Sequence, residues 1–174
     1  MFMSVEPRVI FISQLESPIG MLWLASGVHG LIKIAFDKEK DHKLEWLLRK
    51  FPNAKRVSGE RENLGFHKEL NEYFQGRRKN FTVKVDLIVS DFSKTVLNQV
   101  ARIPFGATAS YKYVAEAINK PNAARAVGRA LATNPVPIII PCHRVVGSDG
   151  KLVGFGGGLD IKKWLISYEK GLTQ

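Results

Sequence analysis

The chain has 174 residues, 45% hydrophobic and 24% charged, the proportions of an ordinary globular protein with one substantial core or two small ones. A single cysteine, Cys142, excludes an internal disulfide framework and any multi-cysteine zinc site, and it fits a reducing compartment. The formal net charge of +10 favours polyanionic partners. With 15 basic and 11 acidic residues over 1–90 and 11 and 5 over 91–174, the excess is diffuse and does not by itself specify nucleic acid.

Met1 to Glu16 lacks the layout of a signal peptide, and no apolar run approaches the roughly 20 residues of a membrane span. No membrane association and a cytoplasmic location are therefore expected. Arg8 to Gln14 is a short β-rich run. Ser17–Gly20 reads as a turn, Met21 to Ser26 as its strand partner, Gly27–Gly30 as a second turn and Leu31 to Phe36 as a third strand. Three strands and two turns make a small antiparallel meander. Helical spacing follows over Asp41 to Phe51 (Leu44, Leu47, Leu48, Phe51) and Asn63 to Phe74 (Leu70, Tyr73, Phe74). Phe81, Val83 and Val85 alternate as one more strand. His29, His42 and His67 have no ligand-like spacing and read as satisfied or solvated side chains, and Arg77-Arg78-Lys79 as a solvated loop. Residues 1–89 form a supporting domain in this reading.

From Ser90 the pattern turns to short helices. Asp91 to Ile103 carries Phe92, Val96, Val100 and Ile103 on one face. Ser110 is a candidate N-cap for a helix through Ile118, and Asn122 for a helix over Ala123 to Ala132. Two short helices joined by a tight turn fit a helix-turn-helix unit. In the second, Val127 and Leu131 define the core side while Arg125 and Arg129 point away at about 100° per residue. Ala123, Ala124, Ala126, Gly128 and Ala132 are all small. A good helix former with two solvated arginines would look the same. Yet Gly128 costs up to ~1 kcal/mol against alanine, and small side chains allow close approach to DNA.

Asn134 to Val146 (NPVPIIIPCHRVV) holds Cys142 with a histidine directly after it. Three prolines and Ile138-Ile139-Ile140 make it read as a stiff buried strand that delivers a thiol to a fixed spot. Gly147–Gly150 is a hairpin-type turn. Val153–Gly158 is glycine-dense, a loop whose backbone N–H groups can approach a ligand. The last helix runs from Asp160 as N-cap, with Ile161, Trp164, Leu165 and Tyr168 inward. Glu169 falls about 80° from Ile161, at the margin of that face, where a carboxylate needs a partner and His143 is the candidate.

Cys142, His143 and Glu169 supply a nucleophile, a base and a group that orients the base. On these residues alone three functions remain open: an alkyl acceptor, a cysteine hydrolase, and a helix-turn-helix DNA-binding module with an inert thiol. Consecutive residues of a strand face opposite sides, so the pair works only if the chain turns sharply or a water bridges it.

Pro141-Cys142-His143-Arg144-Val145-Val146, preceded by Asn134-Pro135-Val136-Pro137, resembles the active-site signature of the O6-alkylguanine-DNA alkyltransferases. Ala123-Ala124-Arg125-Ala126-Val127-Gly128 resembles that family's recognition helix, and Gly157-Gly158-Leu159 with Trp164-Leu165 its C-terminal loop and helix. The likeness covers Asp91 to Gly171 closely and the first half in outline. It implies an α+β protein: a ribonuclease-H-like N-terminal domain, then a mostly helical domain over 90–174 with a helix-turn-helix, winged-helix-like unit.

The resemblance also implies roles. Cys142 would take the alkyl group from a flipped O6-alkylguanine, with O4-alkylthymine a further candidate, in one irreversible turnover. His143 would act as base through a water, oriented by Glu169, and Tyr111 would donate to guanine N3. Arg125 would replace the flipped nucleotide, with Ala123, Ala124, Ala126, Gly128 and Ser110 also contacting DNA in the minor groove. Asn134 would tie the recognition unit to the Cys142 segment, and the carbonyls of Cys142 and Val145 would accept from the guanine amino group. Where many relatives have tyrosine and serine, this chain has Phe155 and Gly156; Phe155 keeps an aromatic wall, and the Gly156 N–H stands in as donor to O6. Double-stranded DNA bearing the lesion is the expected partner. The chain is expected to act as a monomer, with no cofactor and no metal.

Overall fold

The computed structural model describes residues 9–173, the side chain of Lys43 excepted. The chain divides into two compact units, one ending at Asp86 and the other beginning at Leu87. Arg8, where the first strand was expected to start, lies outside the described residues.

In the first unit, β1 (Val9–Leu15), β2 (Leu22–Gly27) and β3 (Gly30–Phe36) form the antiparallel meander. Ile10, Leu22, Leu24, Ile32 and Ile34 are buried to within 1% of full coverage; the register puts Ile10 on the face opposite Leu22, Leu24 and Ile34, so both faces of the sheet are covered. Gly30 is irreplaceable on steric grounds: φ is +137° and a Cβ there would lie 2.5 Å from the Lys84 carbonyl oxygen. Helices α1 (Lys40–Lys50) and α2 (Leu64–Phe74) add Leu47, Leu70 and Tyr73 to the core, while Leu48 is exposed.

Two features differ from the sequence reading. A fourth strand, β4 (Lys55–Ser58), pairs in parallel with β1 and gives the order β3-β2-β1-β4. The strand expected over Phe81–Val85 shrinks to a single bridge between Val85 and Leu31. The backbone donors explain this, because the N–H groups of Thr82 and Val83 go to the buried carboxylate of Glu69, at 2.8 and 3.3 Å, not to a ladder. Arg78 is drawn in too, pairing with Glu72 at 2.8 Å and Glu69 at 3.5 Å, so it is not a solvated loop residue.

The second unit opens with α3 (Asp91–Val100), capped by Ser90 and burying Val96, Leu97 and Val100. A two-residue strand β5 (Ala109–Ser110) leads into α4 (Tyr111–Ala117), whose first turn is capped by the Ser110 hydroxyl accepting from Tyr113 N–H at 3.0 Å. Asn119 turns the chain in the left-handed region (φ 58°), a conformation asparagine tolerates. A 3-10 turn over Pro121–Ala123 then starts α5 (Ala124–Ala132). Asn122 therefore lies inside that turn, and the residue before α5 is Ala123, with no side-chain cap.

The Asn134–Val146 segment is not a strand. It turns tightly at Val136–Ile140 (Ile140 N–H to Val136 O, 3.0 Å) and then makes a single 3-10 turn, Cys142–Arg144, before β6 (Val145–Val146). Prolines at 135, 137 and 141 remove the donors that a ladder would need. The final helix α6 (Leu159–Gly171) begins after Gly158 (φ 94°), so Asp160 sits in its first turn and does not cap it.

Candidate active site

The parallel pairing of β5 with β6, Ala109 with Val145 and Ser110 with Val146, brings two distant parts of the chain together. Tyr111 at the start of α4 and the Cys142–Arg144 turn are the residues on either side of that pairing. Within the 3-10 turn consecutive residues step by about 120°, so Cys142 and His143 are not held on opposite faces as they would be in a strand. Cys142 is 6% exposed and lines a cavity of about 600 Å³. Tyr111, Ala124, Arg125, Gly128, Phe155 and Gly156 line it as well, as do Val153 and Gly154 of the glycine-dense loop.

His143 is fully buried behind Cys142. Its Nε2 lies 2.8 Å from Glu169 Oε1, while its Nδ1 is the one buried side-chain nitrogen or oxygen among the described residues without a hydrogen-bond partner. Burial lowers the His143 pKa, more than the hydrogen bond to Glu169 raises it. The imidazole is therefore neutral near pH 7, with Nε2–H donating to Glu169 and the Nδ1 lone pair available as an acceptor.

Glu169 is 1% exposed and is the hub of the unit. Burial alone would raise its pKa, but hydrogen bonds from His143 and Arg144 outweigh that and hold it at about 2. With His143 neutral, Arg144 is the cation that keeps it ionised. Arg144 grips both carboxylate oxygens, Nε to Oε2 at 2.9 Å and a terminal nitrogen to Oε1 at 3.0 Å, and donates to the Ile103 carbonyl at 2.6 Å. The Gly106 N–H supplies a further donor at 3.1 Å. Phe155 meets the His143 ring edge-on, 6.5 Å between centroids.

Other residues singled out from the sequence are more dispersed. Asn134 is buried and ties the turn before Cys142, donating to the Ile140 carbonyl at 2.9 Å and accepting from Val136 N–H at 3.1 Å. Val145 is fully buried in β6. Arg125 and Arg129 are exposed, and both reach the cavity rim; Ala123 and Ala126 do not line it. The Tyr111 hydroxyl donates to the Val153 carbonyl at 2.9 Å, and burial, with Cys142 nearby, raises its pKa.

Sequence reasoning missed Lys162. The buried stripe of α6 is Lys162, Leu165 and Glu169, whereas Ile161, Trp164 and Tyr168 are half-buried and Trp164 stacks on Tyr168. A signal was present: seven residues of helix rotate by about 700°, which puts Lys162 within about 20° of Glu169. Among the described residues no three His, Cys, Asp or Glu side chains gather to hold a metal. No described helix is long and apolar enough to cross a membrane.

Two family models match the chain: the ribonuclease-like domain of 6-O-methylguanine DNA methyltransferase over residues 10–87 and its DNA-binding domain over 91–171. The inducible methylated-DNA–protein-cysteine methyltransferase of Bacillus subtilis (strain 168) is 40% identical over 149 residues, covering 85% of this chain and 83% of that one. The Methanosarcina barkeri methylated-DNA–protein-cysteine methyltransferase is 42% identical, covering 90% and 94%. A crystal structure of Mycobacterium tuberculosis OGT in complex with DNA superposes with a TM-score of 0.81 at 36% identity, covering 93% of this chain and 94% of that one. With both halves matched in order and relatives this similar over nearly their whole length, the chain belongs to the methylated-DNA–protein-cysteine methyltransferases, DNA-repair proteins that carry out alkyl transfer.

Proposed function

We propose that the protein repairs O6-alkylguanine, and O4-alkylthymine as a second lesion, by moving the alkyl group irreversibly onto Cys142. Duplex DNA is bound through its minor groove by α5, with Ala123, Ala124, Ala126, Gly128 and Ser110 at the contact. The lesion nucleotide rotates out into the cavity while Arg125 fills its place in the stack. Phe155 supplies an aromatic wall for the base, and the Gly156 N–H donates to O6. The carbonyls of Cys142 and Val145 accept from the exocyclic amine. The reaction is carried by residues 90–174, with residues 1–89 in support, in a monomer of the reducing cytoplasm.

In the transfer, the Cys142 proton passes through a water to the Nδ1 lone pair of His143, whose imidazolium is stabilised by Glu169. The thiolate attacks the alkyl carbon in line. A carbon–sulfur bond forms as the carbon–oxygen bond breaks, and the electron pair leaves with guanine. Tyr111 donates to guanine N3 and offsets the developing negative charge. The product thioether does not hydrolyse under mild conditions, so each molecule turns over once.

The observation that carries this reading is His143. A fully buried neutral imidazole with one nitrogen fixed on a carboxylate and the other unpartnered, next to the chain's one thiol, suits proton acceptance and little else. Incubation with duplex DNA labelled in the O6-methyl group tests it. One label per protein is expected, lost in Cys142→Ser. Label transfer exceeding one per molecule would indicate a catalytic turnover and overturn the single-use reading, and DNA binding without transfer would leave only a recognition module.

A further inference from the structure

The ammonium group of Lys162 lies inside the protein without a carboxylate to balance it. The residue is 0% exposed, and no described carboxylate lies within ion-pair distance of its Nζ. Its hydrogen bonds go instead to two consecutive backbone carbonyls of the cavity-lining loop, Val153 at 2.7 Å and Gly154 at 3.3 Å. Nζ also stands 5.9 Å from the centroid of the Tyr111 ring, within cation–π range. Burial lowers its pKa while Cys142 raises it. A buried charge is costly where an apolar side chain of similar length would fit, so stability does not account for lysine here.

The Val153 carbonyl has two donors, Lys162 Nζ and the Tyr111 hydroxyl at 2.9 Å. Tyr111 has one proton to give. If it donates to a bound base, as in the function proposed above on which this inference rests, its bond to Val153 has to break. We infer that Lys162 is the positioning residue for that exchange: it keeps the Val153 carbonyl satisfied and the Val153–Gly156 wall in place while Tyr111 transfers its hydrogen bond to the substrate. Without Lys162, every Tyr111–substrate bond would leave a carbonyl without its donor and the wall without its tether.

The test compares wild type, Lys162→Met, Tyr111→Phe and the double variant. Lys162→Met is expected to unfold at the same temperature as wild type or higher, and to bind undamaged duplex equally well. Its alkyl-transfer rate at subsaturating O6-methylguanine duplex is expected to fall about three- to tenfold, the net effect of one hydrogen bond lost from the carbonyl of a half-exposed residue. In the Tyr111→Phe background, where no exchange occurs, the same substitution is expected to change the rate much less. Amide hydrogen exchange over residues 153–156 should quicken in Lys162→Met even with no DNA present. A Lys162→Met rate within twofold of wild type overturns the inference. So does a loss of equal size in both backgrounds accompanied by a lowered melting temperature, because that is the signature of a structural lysine. The exchange measurement decides on the tether independently of alkyl transfer, so a wild-type protein that fails to take label refutes the proposed reaction and leaves the tether to be judged by exchange.

Discussion

Gly128 and Tyr111 lie side by side with room between them for one more methyl group: a Cβ on Gly128 would meet Tyr111 Cε1 at 3.7 Å and Cδ1 at 3.8 Å, ordinary van der Waals contact. The fold therefore does not require glycine at the centre of α5. Gly128→Ala is expected to stabilise the protein by about 0.5–1 kcal/mol in urea titrations, the helix-propensity difference. The same variant should bind duplex DNA several-fold more weakly if α5 is the close-approach surface proposed above, because the methyl group adds bulk to the cavity lining. Unchanged or tighter DNA binding would remove the case for α5 as a close-approach surface.

Acid stability should follow the His143–Glu169 pair. Glu169 is held at about 2, below its ordinary 4.5, so its contribution is complete above pH 4.5 and is lost as pH falls from there towards 2. That contribution is on the order of 3 kcal/mol at 1.36 kcal/mol per unit. His143 is also depressed, by burial, so it binds its proton more readily unfolded; its contribution is complete above about pH 6.5 and declines below. Stability measured by denaturation should thus fall continuously from pH 6.5 downwards. In Glu169→Gln the decline below pH 4.5 should flatten, from a starting stability lowered by about 3–5 kcal/mol because Arg144 is left buried and unbalanced. A variant that follows the wild-type pH curve would show that another carboxylate carries the transition.

What could be read in the sequence was whatever depends on local pattern. The meander, α1 to α6 and the facing of Val127 and Leu131 follow from periodicity and turn residues, which act over a few positions. The failures occur where a distant side chain captures backbone donors. Nothing near Thr82 announces that Glu69 will take its N–H, and β4 has one hydrophobic residue in four, so only its partner β1 makes it a strand. In the site, Cys142 and His143 stood out by type, and Glu169 by its position on α6. Lys162 reads as an ordinary charge and Arg144 only as part of the Pro141–Val146 motif, although their burial is what orders the Val153–Gly154 loop and Glu169. Burial of a long cation depends on packing between elements, which spacing within one helix only hints at.

Asn134 ties the turn before Cys142 with both ends of its amide. Asn134→Ala should cost about 1–3 kcal/mol, because the buried Val136 N–H is left unpaired while the Ile140 carbonyl keeps the Cys142 N–H as a donor. Asn134→Asp keeps the acceptor for Val136 but turns an oxygen towards the Ile140 carbonyl. It should therefore be no more stable than the alanine variant, and both should transfer alkyl groups more slowly. An aspartate variant as stable as wild type in chemical denaturation would show that the Ile140 bond carries no weight.

Ile138 is the sharpest conformational oddity of the Cys142 segment: fully buried and β-branched, it has φ of +75°. A β-branched residue in the left-handed region is strained by about 1–3 kcal/mol, and the turn from Val136 to Ile140 holds it there. That turn also sets Cys142, whose N–H donates to the Ile140 carbonyl at 2.8 Å. Ile138→Ala should lose about 2–5 kcal/mol through the cavity it leaves, with the backbone strain retained. Ile138→Gly removes still more side chain but relieves the strain. At an unstrained position glycine is the less stable of the two by roughly 0.5–1 kcal/mol. Here the order should reverse, with the glycine variant melting above the alanine variant. If alanine proves the more stable, residue 138 carries no backbone strain and the turn owes its shape to its prolines and Asn134 alone.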